Sequence, residues 1–296
     1  MDRPLPWRGE RDPYRVLVAE VMLQQTQASR VAKAYPVFLR RFPSARRLAA
    51  APASEALRAW GDLGYNRRAL NLWRACRTVV EPDGFPRTVE GLQALPGIGP
   101  YTARAVASFS FGAPVGVVDA NVRRVLTRTH GLAADVRPAT VQAIADRLVP
   151  RDRSGAWNQA MIDLGALVCR SRTPSCGVCA LRRRCAWAGG HRPSVGRPGP
   201  RARVKESEPP FETTTRYVRG RIVAELRRGN GSLDVRALRR RVSVEEPRFV
   251  AALASLKRDG LATRTGRRVA LGDGEVSGRA SAARRRRQRR TVSRRG

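Results

Sequence analysis

Apolar residues recur along the first part of the chain with the spacing of short helices. A helix is predicted from about Tyr14, and nearly all of its positions up to residue 23 are apolar. Such a helix is expected in the interior of a protein, because it has no polar face to turn towards water. Residues 30 to 90 follow as consecutive amphipathic helices, and residues 157 to 165 give another.

Glu20 is the one carboxylate within the apolar helix. Burial would raise its pKa and keep it protonated near neutral pH, which is the state that a general acid requires. The alternative is a position at the polar edge of the helix, where Glu20 would be an ordinary solvated carboxylate. The pattern alone leaves both interpretations open.

The helical pattern is broken at residues 95–102, where the sequence is LPGIGPYT. A proline and two glycines, Gly97 and Gly99, end the preceding helix, and glycine can adopt a positive φ or let the main chain approach another surface. A second proline suits the first turn of a new helix, predicted from Tyr101 to about residue 111. Unpaired N–H groups at such a helix start bind phosphate, so the segment is a candidate contact to a DNA backbone. An ordinary corner between two helices is the alternative.

An apolar run at residues 115 to 118 leads to Asp119, and the helix that follows carries Asn121 and several arginines. An aspartate at a helix start is commonly an N-cap, whose side chain accepts hydrogen bonds from the first free N–H groups. A catalytic role is compatible with that one, because a capping carboxylate is held rigidly and kept ionised.

Four of the five cysteines fall within 17 residues, with the spacing C-x6-C-x2-C-x5-C. In a reducing compartment such a group binds metal more often than it forms disulfides. Structural zinc sites usually have two close pairs of ligands separated by a longer loop, whereas a [4Fe-4S] cluster can be held by four thiolates spaced as here. Three arginines, at 182 to 184, lie inside the last cysteine loop and would form a phosphate-binding surface.

The charge balance indicates a polyanionic partner. The 296 residues include 58 Lys and Arg against 24 Asp and Glu, a formal net charge of +34, and 42% of the residues are hydrophobic. Nucleic acid is the first candidate, and an anionic membrane surface is the alternative. The N-terminus has no apolar core of a signal peptide, and no segment has the roughly 18 apolar residues needed to span a bilayer. We therefore expect a cytoplasmic, nucleoid-associated monomer with no membrane partner.

The C-terminal third has a different organisation. Residues 190–214 are rich in Pro, Gly and Arg and are predicted to be a linker. Residues 215–273 give three short helices and a hairpin, the pattern of a winged-helix-like domain, which can bind DNA or dock a protein. Residues 274–296 are predicted to be a disordered basic tail.

Several motifs together resemble one family. The strings PWR at residues 6–8, DPY at 12–14 and EVMLQQTQ at 20–27, with LPGIGPYT, Asp119 and the cysteine array, are similar to adenine DNA glycosylases of the helix-hairpin-helix endonuclease III superfamily. The resemblance covers residues 1 to about 189. It implies an all-α glycosylase core at 1–189, in which a helical domain of about 15–118 and a cluster domain of 1–14 plus 119–189 hold mismatched double-stranded DNA between them.

The resemblance also implies a role for each matching residue. Glu20 would protonate the leaving adenine, Asp119 would stabilise positive charge on the sugar, and Asn121 would support them. The residues expected around the extruded base are Trp7, Arg8, Tyr101 and Gln159. Gln25 and Tyr65 would be inserted into the base stack, with Gly97 and Gly99 on the DNA backbone. A [4Fe-4S] cluster would be bound by Cys169, Cys176, Cys179 and Cys185.

The implied enzyme cleaves the glycosidic bond but not the strand. Endonuclease III relatives that cut the strand use a lysine where this chain has Tyr101, and the only lysine in the first 204 residues is Lys33. Three departures from the family pattern are Asn66 in place of a second tyrosine, Ala120 in place of a frequent glycine, and the winged-helix-like domain in place of a Nudix-like domain. The alternatives are a thymine-mismatch or endonuclease III-like glycosylase and, from another class, a non-catalytic iron–sulfur DNA-binding regulator.

Overall fold

A computed structural model describes residues 4–80, 84–191, 210–229 and 231–273, and this part of the chain is mostly helical. It divides into two compact units, one built from residues 1–35 and 79–206 and the other from residues 36–78 and 207–296. The helices are α1 (Pro13–Leu23), α2 (Ala28–Arg41), α3 (Ala45–Ala50), α4 (Ala53–Ala59), α5 (Arg67–Val79), α6 (Val89–Gln93), α7 (Pro100–Phe111), α8 (Ala120–Thr129), α9 (Pro138–Leu148), α10 (Ser154–Asp163), α11 (Thr215–Arg228), α12 (Val235–Val242) and α13 (Glu246–Arg258). The strands are β1 (Ser232–Asp234), β2 (Ala262–Thr265) and β3 (Arg268–Leu271).

The first unit is organised around α1. This helix begins at an N-cap, Asp12, whose carboxylate accepts a hydrogen bond from the Arg15 amide, and Pro13 follows in the first turn. Eight of its eleven residues are buried, as its apolar sequence predicts, and it packs against α7. The burial extends to Glu20, of which only 7% is exposed.

The segment between α6 and α7 forms the expected hairpin, although its two glycines differ. Gly97 has a φ of 76°, in the left-handed region that favours glycine. Gly99 is the N-cap of α7 with a φ of −90°, and the space around the position of a Cβ is open, so neither backbone conformation nor crowding requires a glycine there. No side chain caps α7. Its first-turn amides therefore lie at an exposed helix start.

A second core within the first unit is formed where α8, α9 and α10 meet, and it is entirely apolar. Its buried members are Val122, Val125, Leu126, Val141, Ile144, Ala145 and Met161. α10 continues into one turn of π-helix, Leu164–Val168, which leads directly to Cys169. The cysteine segment is thus attached to the same helices that carry the residues around Asp119.

The second unit has a core of large side chains where α2 meets the end of α4. Trp60 and Phe38 are completely buried, with their rings edge to face at a centroid distance of 6.0 Å. Apolar residues of α4, of α5 and of the turn between them are also buried: Leu57, Leu63, Leu70, Leu72 and Trp73.

The C-terminal module of the second unit, residues 211–273, contains α11 to α13 and an antiparallel sheet of strand order β1-β3-β2. The three helices and the β2–β3 hairpin confirm the winged-helix-like pattern. β1 was not predicted, because three residues are too few to establish a strand periodicity. Residues 192–209 of the predicted linker and the whole predicted tail lie outside the described residues. No helix of the described residues is long and apolar enough to cross a membrane.

Candidate active site

The side chain of Glu20, on α1, lines a cavity of about 820 Å³ in the first unit. This volume lies within the range of small-ligand sites in proteins. Seven of the residues singled out in the sequence line it: Trp7, Arg8, Glu20, Tyr101, Asp119, Asn121 and Gln159. None of the cavity-lining residues within the described ranges is a lysine.

Glu20 and Asp119 approach each other across this cavity, and their surroundings differ. Burial and, to a lesser extent, the negative charge of Asp119 raise the pKa of Glu20 to about 7, against a hydrogen bond from Tyr101 that favours the ionised form. The pKa of Tyr101 is itself raised well above its usual value by burial and by the two carboxylates, so this phenol stays protonated and donates. A proton is therefore held at Glu20 near neutral pH, beside a second acidic group.

Asp119 is fixed as the N-cap of α8, as its position in the sequence predicts. One of its oxygens, Oδ1, accepts from the Val122 amide at 2.7 Å, and Oδ2 accepts from Asn121 Nδ2 at 2.9 Å. Both oxygens thus receive hydrogen bonds from α8 itself. The carboxylate is oriented before any ligand enters the cavity.

Arg124, which the sequence analysis did not select, links this carboxylate to the cysteine segment. Its Nη2 donates to Asn121 Oδ1 at 2.8 Å and to the Gly165 carbonyl at 2.7 Å, while its Nε donates to the Cys169 carbonyl at 2.7 Å. A Cβ on Gly165 would lie 2.7 Å from that of Asn121, so the π-helical turn packs directly on α8. The only sequence indication was that Arg124 lies three residues after Asn121, on the same helix face.

Asn158 is a second residue that sequence reasoning missed. It is completely buried, and its side chain accepts from the Val117 amide at 2.8 Å and donates to the Val115 carbonyl at 2.9 Å. These bonds hold the extended segment that leads into Asp119. Its residue type does not distinguish Asn158 from its neighbour Gln159, because an asparagine on a helix is usually a surface residue.

Arg8 and Gln159 form one wall of the cavity. Arg8 Nη1 donates to Gln159 Oε1 at 3.2 Å, and the same guanidinium pairs with Asp163, which is largely buried. Trp7 is held by an edge-to-face contact with Tyr35 at a centroid distance of 5.8 Å. The N-terminal segment before α1 therefore contributes an aromatic face and a fixed hydrogen-bonding group to the cavity.

The remaining predicted DNA contacts lie outside this cavity. Gln25 is exposed just after α1, with a φ of 54°, and Tyr65 belongs to the second unit, with a φ of 46°. Gly97 and Gly99 are exposed at the hairpin before α7. A positive φ is uncommon for residues with a side chain and often marks a functional position.

The four cysteines line one small cavity between α8 and the segment up to residue 188. The Cys169 sulfur accepts from Arg128 Nη1 at 3.4 Å, and the Cys185 thiol contacts the Arg128 carbonyl at 3.7 Å. Within the described residues, no three His, Cys, Asp or Glu side chains are arranged to hold a single metal ion. In a four-iron cluster each thiolate binds a different iron atom, so a set of four thiolates around one cavity fits that group chemically.

Comparison with known proteins places these features in one family. The family model of the HhH-GPD superfamily base excision DNA repair protein matches residues 18–151. An adenine DNA glycosylase of Mycobacterium tuberculosis (strain ATCC 25618 / H37Rv) is 41% identical over 288 residues, which cover 92% of this chain and 90% of that protein. The adenine DNA glycosylase of Homo sapiens is 42% identical over 198 residues, covering 62% of this chain and 36% of the human protein.

Solved structures show the same fold. A thermostable thymine-DNA glycosylase is 31% identical with a TM-score of 0.59, covering 64% of this chain and 89% of that one. A non-covalent endonuclease III–DNA complex is 26% identical with a TM-score of 0.54, covering 61% and 86%. The chain belongs to the helix-hairpin-helix superfamily of base excision DNA repair proteins and, within it, to the adenine DNA glycosylase family. The resemblance inferred from the motifs and the helical fold that it implied are thereby confirmed.

The electrostatic description of the cavity predicts how the pKa of Glu20 responds to its neighbours. Asp119→Asn should lower it, because a negative charge is removed, and Tyr101→Phe should raise it further, because the ionised form loses a hydrogen bond. The measurement is a ¹³C NMR titration with side-chain-labelled glutamate. The Glu20 resonance is identified by its absence from the spectrum of Glu20→Gln. Glu90→Gln, at an exposed position of α6, is the control. A Glu20 that titrates like Glu90 in the wild-type protein would contradict this description.

Proposed function

We propose that this protein is an adenine DNA glycosylase that hydrolyses the N-glycosidic bond of adenine mispaired with 8-oxoguanine or guanine. The observation that carries the proposal is the buried Glu20, whose pKa is raised to about 7, in one cavity with the fixed carboxylate of Asp119. A DNA-binding regulator needs neither a shifted pKa nor two opposed carboxyl groups. Relatives that share 41% identity over nearly the whole chain are adenine DNA glycosylases.

In this mechanism the two carboxyl groups have separate tasks. Glu20 gives its proton to N7 of the extruded adenine, so that the base leaves as the bond between C1′ and nitrogen breaks. Asp119 stabilises the positive charge that develops on the sugar, and water then attacks C1′. Asn121 keeps the Asp119 carboxylate oriented, and Tyr101 donates to Glu20 once that group has lost its proton.

Other side chains position the nucleotide. The indole of Trp7, with Arg8 and Gln159, surrounds the base, and the Arg8–Gln159 hydrogen bond orients the amide that faces it. The exposed start of α7, after Gly97 and Gly99, holds the DNA backbone through its amides. Gln25 and Tyr65 enter the base stack, each from a backbone conformation that projects it from the surface.

The cysteines would hold a [4Fe-4S] cluster whose contribution is structural. Bound through Cys169, Cys176, Cys179 and Cys185, the group would fix the loop that carries three exposed arginines, at residues 182 to 184. Arg124 connects the cysteine segment to Asp119, because it donates both to the Cys169 carbonyl and to Asn121, which in turn donates to Asp119. Assay of iron and acid-labile sulfide against zinc in the purified protein distinguishes the two candidate metals.

The substrate is tested with duplexes that carry A:8-oxoG, A:G, T:G or A:T, scored for released base. Adenine should be released from the first two, and Glu20→Gln should slow release by roughly 10²- to 10⁴-fold while leaving duplex affinity nearly unchanged, because the amide keeps the shape but cannot deliver a proton. Glu90→Gln should retain the wild-type rate. Thymine release from T:G would favour the thymine-mismatch alternative, and binding without any base release would favour the regulator.

The absence of a lysine among the residues lining the cavity predicts the product. Strand cleavage requires an amine that forms a Schiff base with the sugar, and arginine cannot serve because its guanidinium stays protonated. The DNA product should be an intact strand with an abasic site that breaks only after alkali, and borohydride should trap little covalent complex. Strand scission by the pure protein at the rate of base loss would refute this, and a Lys33→Gln variant identifies whether that exposed lysine is responsible.

A further inference from the structure

The C-terminal module is attached within the second unit by a series of arginine contacts along α11. At the C-terminal end of α11, Arg58 Nη1 donates to the carbonyls of Arg227 and Gly229 at 2.9 and 2.7 Å. A guanidinium at this position satisfies carbonyls that have no partner within the helix, and it complements the helix dipole. The helix is therefore fixed to the segment that precedes Tyr65 in sequence.

Asp259, directly after α13, forms ion pairs with two arginines from different parts of the second unit. Its Oδ2 pairs with Arg219 of α11 at 2.5 Å, and its Oδ1 lies 3.8 Å from Arg67, at the start of α5. Both contacts involve a carboxylate of which 22% is exposed. The module thus meets the residues on both sides of Tyr65 in the chain.

Two guanidinium groups lie close to the ring of Tyr65. Arg68 is 9% exposed; its guanidinium carbon lies 5.4 Å from the Tyr65 ring centroid, and its Nη2 donates to the Gly64 carbonyl at 3.2 Å. The guanidinium carbon of Arg216, at the start of α11, also lies 5.4 Å from that centroid, and its Nη1 is 3.4 Å from the phenolic oxygen. With both arginines beside it, Tyr65 remains 45% exposed.

This arrangement has the chemistry of a nucleic-acid contact. An exposed aromatic ring offers a stacking face to a base, and an adjacent arginine offers a planar cation that binds phosphate and also stacks. The left-handed φ of Tyr65 and the buried Arg68 fix the direction in which the ring projects. Arg216 is exposed, so its guanidinium is accessible to a ligand at the same place.

We propose that Arg216 and Tyr65 form one DNA-binding patch, so that the C-terminal module contributes directly to the contact with duplex DNA where its base stack is opened. The proposal rests on the proposed function, because the mismatched duplex is its ligand. It assigns the module to DNA rather than to a protein partner. The net charge of +34 on the chain favours that occupant.

The test compares DNA affinities of the full-length protein and its variants by fluorescence anisotropy. The duplex carries 8-oxoguanine opposite 2′-fluoro-deoxyadenosine, because fluorine disfavours positive charge on the sugar and prevents excision during the measurement. Arg216→Ala should weaken binding by about tenfold, as expected for loss of a phosphate contact and of a stacked partner. Arg240→Ala, which removes an exposed arginine of α12 in the same module, is the matched control and should weaken binding by no more than about twofold.

Two further variants distinguish a shared patch from two separate charges. Arg216→Lys keeps the charge but not the planar group, so it should recover only part of the lost affinity. Tyr65→Leu combined with Arg216→Ala should weaken binding by less than the product of the two single effects, because the two side chains contact each other and would bind the DNA at one place. Circular dichroism melts confirm that these exposed substitutions leave the fold intact.

The proposal is overturned if Arg216→Ala and Arg240→Ala have the same effect, or if the effects of Tyr65 and Arg216 multiply independently. Adenine release by the wild-type preparation is measured in parallel on an unmodified A:8-oxoG duplex. Release with no special effect of Arg216 would overturn the patch and leave the proposed function standing. A coupled effect of Arg216 and Tyr65 on binding, without adenine release, would support the patch and contradict the proposed function.

Discussion

A carboxyl group in an apolar helix is the constraint on which the site depends. Glu20 is buried by the surrounding residues of α1 and by α7, and a second carboxyl group, that of Asp119, lines the same cavity. Under these conditions the neutral form is favoured, and a proton remains available at a pH where an exposed glutamate would have lost it. The apolar sequence of α1 is thus both a packing requirement and the reason that the acid is chemically competent.

Asp119, by contrast, is held in place by hydrogen bonds. Hydrogen bonds from the first turn of α8 reach both of its oxygens, and Asn121 is itself held by Arg124. Arg124 also binds the carbonyl of Cys169, so the position of the Asp119 carboxylate and the conformation of the cysteine segment depend on the same side chain. Through this connection the proposed cluster would have a structural role in the proposed reaction, which needs no electron transfer.

Structural elements were predicted best from the sequence where a residue type has a strong local conformational preference. The apolar run of α1, the proline and glycines before α7 and the aspartate at the start of α8 each define an element by themselves. Asn158 and Arg124 could not be predicted, because their importance lies in contacts with residues that are distant in sequence. Gly99 was assigned a conformational role that its φ of −90° does not require. The roles of Glu20 and Asp119 remain predictions, although the structure brings the two residues together.

The most direct test of the account is the pH dependence of adenine excision under single-turnover conditions from an A:8-oxoG duplex. Because Glu20 acts in its protonated form and its pKa is raised to about 7, the rate constant should be level below that pH and fall as the pH rises through it. The fall should approach tenfold per pH unit at about pH 8 and above. A rate constant that stays level or increases between about pH 6 and pH 9 would contradict the assignment of Glu20 as the proton donor.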